Sequence, residues 1–304
     1  MNSIRADIQN MSTDKISQLS VTAGADEAVI AANAKRRIHR RRVWVRLAQA
    51  ATLIGVLGSW QLLTDLKIVD PFFFGSPVGI VLRLSDWAVH GTAYGPLWLQ
   101  IWITLEESIL GFGVGVVTGI VAGVLLGEIP FLADVLGPYI KMVNALPRIV
   151  LGSIFVMWLG LGLPSKVLLA AVLVFFVVFF NAFQGVRSVD RNLIANARIL
   201  GASRLQVVRH VIFPSAMTWI IASLHVALGF AIIGAIVGEF LGAQRGLGLV
   251  IATAQDNFDA NGVFGAMLII GLLALSAEWL MTLLEKRLLA WQPPSSSGAN
   301  HAGM

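Results

Sequence analysis

The stretch ANARILGASRLQVVRHVIFP, residues Ala195 to Pro214, carries three arginines and a histidine between two of the most apolar segments of the chain. Gly201 is expected to separate two short helical pieces, because a residue without a side chain tolerates a sharp bend and a close approach. Pro214 suits the first turn of a following helix, where its missing N–H costs nothing. The stretch therefore predicts a bent helix pair followed by a return into an apolar medium.

The two pieces combine apolar and cationic surface. Helical spacing places Leu205, Val208 and Ile212 on one side. Arg204 and Arg209 point elsewhere. Three interpretations fit this surface: an amphipathic helix in the membrane interface with its arginines on anionic lipid, an ordinary basic loop on the cytoplasmic side, or a surface that docks another protein.

The composition defines the class of protein around this stretch. Of 304 residues, 57% are hydrophobic and 13% are charged, and the mean hydropathy is +0.79. A soluble domain carries about 25% charged residues. The net charge of +5 does not indicate nucleic-acid binding, because the basic residues cluster beside apolar runs. The chain has no cysteine, which excludes disulfides and thiolate metal sites. These features predict a polytopic membrane protein.

The apolar runs predict an all-α protein with six transmembrane helices, and the quoted stretch connects the fourth helix to the fifth. The predicted spans cover about 43–63, 103–126, 135–159, 167–183, 214–241 and 263–284. Each approaches or exceeds the length that crosses a bilayer. Pro147 and Arg148 interrupt the third span. The mixed segment between the first two spans is expected on the outer face, with one interfacial helix at 78–89.

Residues 1–42 are predicted to be a disordered basic tail, 43–291 the membrane domain, and 292–304 a flexible C-terminal tail. The basic run Lys35–Arg42 precedes an apolar segment, as in a signal peptide. That segment is long enough to span, which favours an uncleaved first helix. The loop from Arg187 to Arg209 holds five arginines, so it and both termini are predicted to be cytoplasmic.

Five glycines follow each other at four-residue spacing in the second span, at positions Gly111, Gly115, Gly119, Gly123 and Gly127. On a helix they fall on nearly one face, which lets a neighbouring backbone approach closely. The pattern favours a packing face inside one subunit. A moving dimer interface is the alternative.

Ionisable and polar residues at membrane depth are functional candidates, because placing them there is costly. The candidates for a translocation path are Arg148, Asn181, His225 and Glu239. Glu239 with Arg245 is one candidate for an outer gate or for a contact with a binding protein. Arg148 needs a partner or water, and it could attract an anionic solute.

Further polar residues are interpreted as structural. His225, which stands alone on an apolar helix, is otherwise expected to be a hydrogen-bonded packing residue. Glu106 and Glu107 begin the second span and are expected at a solvated interface. Glu278 lies within the sixth span. None of these positions forms a recognisable catalytic set.

The quoted stretch resembles the cytoplasmic loop signature of ABC-importer permeases, the binding-protein-dependent inner-membrane family. That signature has Glu-Ala-Ala, three residues, Gly, nine residues, and then an Ile-x-Leu-Pro ending. The matched positions are Ala195, Asn196, Ala197, Gly201, Val211, Phe213 and Pro214, and Ala202, Ser203 and Arg204 follow the glycine as in the common form. Alanine replaces the leading acid.

Two further segments resemble the subgroup that imports nitrate, sulfonates, taurine and related organic compounds. The segment NALPRIVLGSIFVMWLGLG, residues 144–162, shares Pro147, Arg148, Trp158, Gly160 and Gly162 with it. The segment GEFLGAQRGLGLVI, residues 238–251, shares an acid followed by Gly-Leu-Gly. The resemblance covers about residues 71–291.

The resemblance implies a transport subunit of a bacterial inner membrane rather than an enzyme. Two copies would pair around a translocation path in the bilayer, each loop would dock on an ATPase subunit, and an extracytoplasmic binding protein would deliver the solute. The chain has no G-x-x-x-x-G-K-[ST] motif, so the ATPase partner would supply the nucleotide chemistry; no cofactor is predicted for the permease. The alternative is a stand-alone ion-coupled transporter, which would work without an ATPase.

Overall fold

The computed structural model describes residues 40 to 288, and every regular element in that range is helical. The chain divides into two units, Met1–Ile68 and Val69–Met304. The first contains helix α1 (Arg40–Asp65), which is long and apolar enough to cross a membrane. Helix α1 begins three residues before the predicted tail boundary. Residues 1–39 of the predicted N-terminal tail and all of the C-terminal tail lie outside the described residues.

The second unit contains the remaining helices. They are α2 (Pro71–Phe74), α3 (Pro77–Val89), α4 (Leu97–Glu128), α5 (Pro130–Ala145), α6 (Arg148–Leu159), α7 (Leu163–Arg187), α8 (Arg191–Ile199), α9 (Arg204–Val207), α10 (Phe213–Leu241), α11 (Leu247–Asp256) and α12 (Ala260–Leu288). A π-helical turn, Val208–Ile212, joins α9 to α10. Helix α3 corresponds to the predicted interfacial helix.

The helical membrane class is confirmed. Among the described residues, five helical segments are long and apolar enough to span: α1, α4, α7, Arg204–Leu241 and α12. Helices α5 and α6 form a sixth candidate, bent by 87° at their junction. Leu146 is extended there (φ −66°, ψ 142°), because a residue before proline avoids the helical region. The predicted interruption at Pro147 is therefore a sharp break.

The five glycines of α4 form the contact between α4 and α7. At each of them an added Cβ would lie 2.4–3.0 Å from an atom of α7. Such a distance is well inside the ordinary contact range. The predicted packing face is therefore confirmed, and it is filled by a helix of the same chain.

Helix α7 lies between α4 and α10. Gly234 of α10 approaches α7 closely enough that an added Cβ would lie 2.5 Å from Ala170 Cα. Further along, Val174 and Val178 of α7 are fully buried with Ala227 of α10. Small residues on one helix facing branched residues on the next give the close packing expected between membrane helices. These three helices form the core on which the loop and the outer helices are built.

Candidate functional site

The loop between α7 and α10 begins with a helix that ends in a Schellman motif. Helix α8 starts at Asp190, whose carboxylate accepts a hydrogen bond from the Asn192 N–H at 2.8 Å. At its other end the Ala202 N–H donates to the Ala197 carbonyl, and the Gly201 N–H donates to the Arg198 carbonyl, both at 3.0 Å. Gly201 has φ +83°. Glycine is therefore required here for its backbone conformation, since nothing lies within 4 Å of an added Cβ.

A capping box then starts the next helix. The Ser203 N–H donates to Gln206 Oε1 at 2.8 Å, and the Gln206 N–H donates to Ser203 Oγ at 3.4 Å. This reciprocal pair satisfies two backbone donors at the start of α9. The two short helical pieces predicted on either side of Gly201 are present, and both ends of the turn between them are closed by hydrogen bonds.

The fifth span starts earlier than predicted. The helical segment runs without a break from Arg204 to Leu241, so Pro214 lies inside it rather than at its start. Pro214 has no N–H to donate to the His210 carbonyl. The preceding turn is π-helical instead, and the Phe213 N–H donates to the Val208 carbonyl, five residues back. The widened turn accommodates the proline without breaking the helix.

The loop has a buried anchor and an exposed apolar tip. Val207 and Ile212 are 2% and 3% exposed and pack on Val186 of α7. In contrast, three apolar side chains at the turn are largely exposed: Ile199 (81%), Leu200 (88%) and Leu205 (76%). The predicted apolar stripe is therefore wrong at Leu205, which faces outward while Val207 takes the buried position. The apolar tip, defined here as Ile199, Leu200 and Leu205, was not predicted as a set.

All the residues that were predicted to form the docking loop lie in the segment between α7 and α10 or at the start of α10. Ala195, Asn196, Gly201, Ser203 and Arg204 are exposed, and Ala197, Ala202, Val211 and Pro214 are partly buried. Ala197 and Ala202 meet across the Schellman turn and pack against the anchor. The alanine at position 195, where the family signature has an acid, leaves the outer face of α8 without a carboxylate at that point.

A second polar site lies at the opposite end of α10, where α11 begins. Glu239 is fully buried. Its Oε1 accepts a hydrogen bond from the Thr104 hydroxyl, and its Oε2 accepts one from the Gly248 N–H, both at 2.6 Å. Thr104 also accepts from the Leu247 N–H at 2.9 Å, and Gln100 accepts from the Gly246 N–H at 2.8 Å.

These bonds cap α11 with side chains from other helices. A helix start leaves its first N–H groups without partners, and no side chain of α11's own N-cap residue, Gly246, can fill that role. Gln100 and Thr104 of α4 and Glu239 of α10 supply the acceptors instead. We call this arrangement the tertiary cap. The carboxyl oxygens of Glu239 also lie at the positive end of the helix dipole, where acceptors are favourable.

Two more buried ionisable side chains adjoin the tertiary cap. Glu107 is 3% exposed and Lys166 is 1% exposed, so the prediction of a solvated Glu107 is wrong. Glu106, the neighbouring residue, is exposed. The Lys166 ammonium interacts electrostatically with both carboxyl groups and donates to the Leu161 and Gly162 carbonyls. Buried ionisable groups placed together in this way link α4, α7 and α10.

The partners of Glu239 differ from those expected. Arg245 is exposed, and the Glu239 carboxyl group is bonded to Thr104 and Gly248 instead. Glu239 is instead surrounded closely enough that a Cβ on Gly246 would lie 2.1 Å from its Oε1. Its geometry is that of a helix cap. A role for Glu239 in a translocation path stays a prediction.

Arg148 and Asn181, two other path candidates, have local partners. Arg148 Nη2 donates to Asn144 Oδ1, and its guanidinium lies 4.8 Å from the centre of the Phe176 ring. Stacking of this kind stabilises a cation away from water. The Asn181 amide donates to the Val177 carbonyl at 2.8 Å, one turn back on α7. The two side chains do not meet His225 or Glu239 in one site.

His225 is not an isolated histidine. Its Nδ1 lies 2.6 Å from Glu278 Oε1, and its Nε2 lies 3.1 Å from Glu285 Oε2. Both carboxylates come from α12, two turns apart on one face. The spacing of Glu278 and Glu285 could have indicated a shared face, but the sequence gives no sign that α10 presents a histidine to it.

Comparison with known proteins shows the class of protein, which is the transmembrane permease subunit of a binding-protein-dependent transport system. Residues 115–290 match the family described as "Binding-protein-dependent transport system inner membrane component". The chain belongs to this family. As a subunit of this kind it is a transport component and not an enzyme, and the family implies ATPase and solute-binding partners.

Curated relatives agree over most of the chain. The riboflavin transport system permease protein RibX of Chloroflexus aurantiacus is 34% identical over 83% of this chain and 93% of its own length. A putative aliphatic sulfonates transport permease, SsuC of Bacillus subtilis, is 30% identical over 85% and 91%. The taurine permease TauC of Escherichia coli is 29% identical over 84% and 96%. The predicted resemblance to the sulfonate and taurine subgroup is confirmed.

A solved structure shows the same fold. A chain of the MetNI methionine ABC transporter, in an inward-facing conformation, superposes with a TM-score of 0.56 at 19% identity, covering 63% of this chain and 96% of the other. Because the chain belongs to a binding-protein-dependent transport family, the alternative of a stand-alone ion-coupled transporter is not supported.

Proposed function

We propose that this permease works as a homodimer in a bacterial inner membrane, with both termini cytoplasmic, and that its 190–214 loop docks on a partner ATPase. A solute-binding protein on the outer side would deliver a small organic compound. The solute belongs in the range that the relatives' names describe, from aliphatic sulfonates and taurine to riboflavin. The predicted arginine bias supports the orientation, because the loop is on the basic side.

The observation that carries the docking proposal is the exposed apolar tip. Leu200 is 88% exposed, although it stands on a loop that is closed by a Schellman motif, a capping box and a buried anchor. A rigid loop gains nothing for its own stability by presenting leucine to water. Burial of the tip in a groove of another protein accounts for it, and the rigid turn would transmit the movement of that protein to α10.

The test is co-purification with the cognate ATPase subunit after co-expression. Leu200→Asp places a charge at the centre of the apolar tip and should abolish recovery of the ATPase. Val89→Asp is the matched control, because Val89 is also apolar and 76% exposed but lies on α3, on the predicted outer face. Both variants should reach the membrane in normal amount. Wild-type recovery of the ATPase with Leu200→Asp would contradict the proposed docking surface.

A further inference from the structure

The cluster formed by His225, Glu278 and Glu285 keeps much of its surface uncovered. In the chain as described, the side chain of Glu278 is 50% exposed and that of Glu285 is 35% exposed. The ion pairs that these two carboxylates form both go to His225. The cluster therefore has carboxylate oxygen surface that the chain itself does not cover.

The depth of Glu278 makes lipid an unfavourable cover for its carboxylate, whereas Glu285 lies beside Lys286 near the end of α12. Helix α12 ends in Lys286 and Arg287, which suit the interface. Glu278 lies eight residues earlier, about 12 Å along the helix axis, and so within the bilayer. A carboxylate at that depth faces the bundle interior, a partner or a water-filled cavity. In a permease that forms its path between two copies, the translocation path is a water-filled cavity that borders both the bundle interior and the partner copy.

The charge of the cluster is negative in either state of the histidine. With a neutral imidazole the three groups carry minus two, and with an imidazolium they carry minus one. The Arg148 side chain contacts Asn144 and Phe176, and the ion pairs of the cluster go to His225 instead. Lys166 is buried beside Glu107 and Glu239. The exposed oxygens of the cluster can accept hydrogen bonds from ammonium, amino or ring N–H groups.

We infer that the His225–Glu278–Glu285 cluster is a solute site in the translocation path, and that it favours neutral or cationic nitrogen-containing compounds over sulfonate-type anions. This inference rests on the proposed function, since it requires the path between two copies. A sulfonate would be repelled by the two carboxylates. A basic or hydrogen-bond-donating solute would gain charge-assisted bonds there.

The chain has no cysteine, so single cysteines can report access and charge. Gly229 lies one turn from His225 on α10, and an added Cβ there meets no atom within 4 Å. We would label Gly229→Cys in the complex with its ATPase, in lipid nanodiscs, with and without ATP. The probes are the trimethylammonium-ethyl and sulfonato-ethyl methanethiosulfonates, which carry opposite charges on similar frames. Mass spectrometry of this chain gives both labelling rates, each divided by the rate with free 2-mercaptoethanol.

The ammonium reagent should react about sevenfold faster than the sulfonate reagent after this normalisation, as expected for a net charge of minus one roughly 7 Å away in water. The ratio should fall close to one in the Glu278→Gln/Glu285→Gln background, which keeps the side-chain volume. Val121→Cys on α4, 53% exposed without a charged cluster, should react with neither reagent. Gly271→Cys, also in open space, replaces Gly229→Cys if that variant does not assemble.

Two results would overturn the inference. One is protection of the cysteine from both reagents with and without ATP, which would place the cluster outside the path. The other is a normalised ratio near one that the glutamine substitutions leave unchanged. Because ATPase recovery is measured on the same preparations, a failure of this inference is distinguishable from a failure of the docking proposal.

Discussion

Replacing Gly115 by alanine should destabilise the α4–α7 contact, whereas the same change at Gly113 should not. A Cβ on Gly115 would lie 2.6 Å from the Ala171 carbonyl oxygen and from Val174 Cβ. Carbon atoms normally pack at about 3.5–4.0 Å, so the two helices must separate by about 1 Å. Gly113 is two residues away on the same helix, and an added Cβ there meets nothing within 4 Å.

The expected loss at Gly115 is about 1–3 kcal/mol, the usual cost of inserting an atom into a packed contact. It falls at the higher part of this range, because separation at Gly115 also opens the neighbouring contacts at Gly111 and Gly119. Gly113→Ala should gain up to about 1 kcal/mol from the higher helix propensity of alanine. The two substitutions are chemically identical, but because the surroundings of the two glycines differ, they should shift stability in opposite directions.

The measurement is thermal unfolding of the purified chain in detergent, followed by tryptophan fluorescence at one fixed heating rate. A loss of this size corresponds to a midpoint lower by roughly 5 °C for a domain of this length, and the control should match or exceed the wild type. Equal midpoints for Gly115→Ala and Gly113→Ala would show that the stripe does not set the helix distance. A lower midpoint for the Gly113 variant alone would show the same.

Two further predictions concern the ends of α10. Glu239→Ala removes an acceptor from both Thr104 and Gly248 and leaves Lys166 with one carboxyl neighbour, so it should lower the free energy of unfolding by about 3–5 kcal/mol. The control, Arg245→Ala, should change it by no more than about 0.5 kcal/mol. Similar unfolding midpoints for the two variants would contradict the tertiary cap. Gly201→Ala should cost about 1–2 kcal/mol because of the left-handed backbone, and Gly201→Asn should cost less. Hydrogen exchange at the Ala202 amide reports this, and equal exchange in both variants would count against the Schellman turn as the reason for glycine.

The parts of the fold that depend on local backbone properties could be predicted from the sequence. Glycines at four-residue spacing occupy one helical face whatever the partner, so the α4 packing face followed from Gly111 to Gly127. The break at Pro147 followed from the restriction that proline places on Leu146. Both properties are local to the backbone and need no knowledge of the rest of the chain.

The apolar stripe of the loop could not be predicted by α-helical spacing. The π-helical turn at Val208–Ile212 adds one residue to a turn, which rotates everything before it relative to α10. Leu205 therefore moved outward and Val207 inward. The cause is Pro214, whose missing N–H donor favours the wider turn. The sequence alone does not distinguish a proline at the start of a helix from a proline inside a widened helix.

The partners of the buried polar residues could not be predicted from the sequence, for a different reason. Arg245 is six residues from Glu239 and has the opposite charge, so sequence proximity made that pair a candidate. The actual acceptor site binds backbone N–H groups of α11, which every residue but proline possesses and which therefore leave no signal. The pairing of His225 with Glu278 spans 53 residues and depends on how α10 and α12 pack.

The tertiary cap also determines which movements this end of the molecule permits. The first three amides of α11 are tied to two different spans, with Gln100 and Thr104 holding them to α4 and Glu239 holding them to α10. If α4 and α10 slide past each other, at least one of these ties must break and leave a buried donor unpaired, at a cost of about 1–3 kcal/mol. Helix α11 is thus a brace between the two spans, and a conformational cycle that spares it must move α4, α7 and α10 as one block against the rest of the molecule.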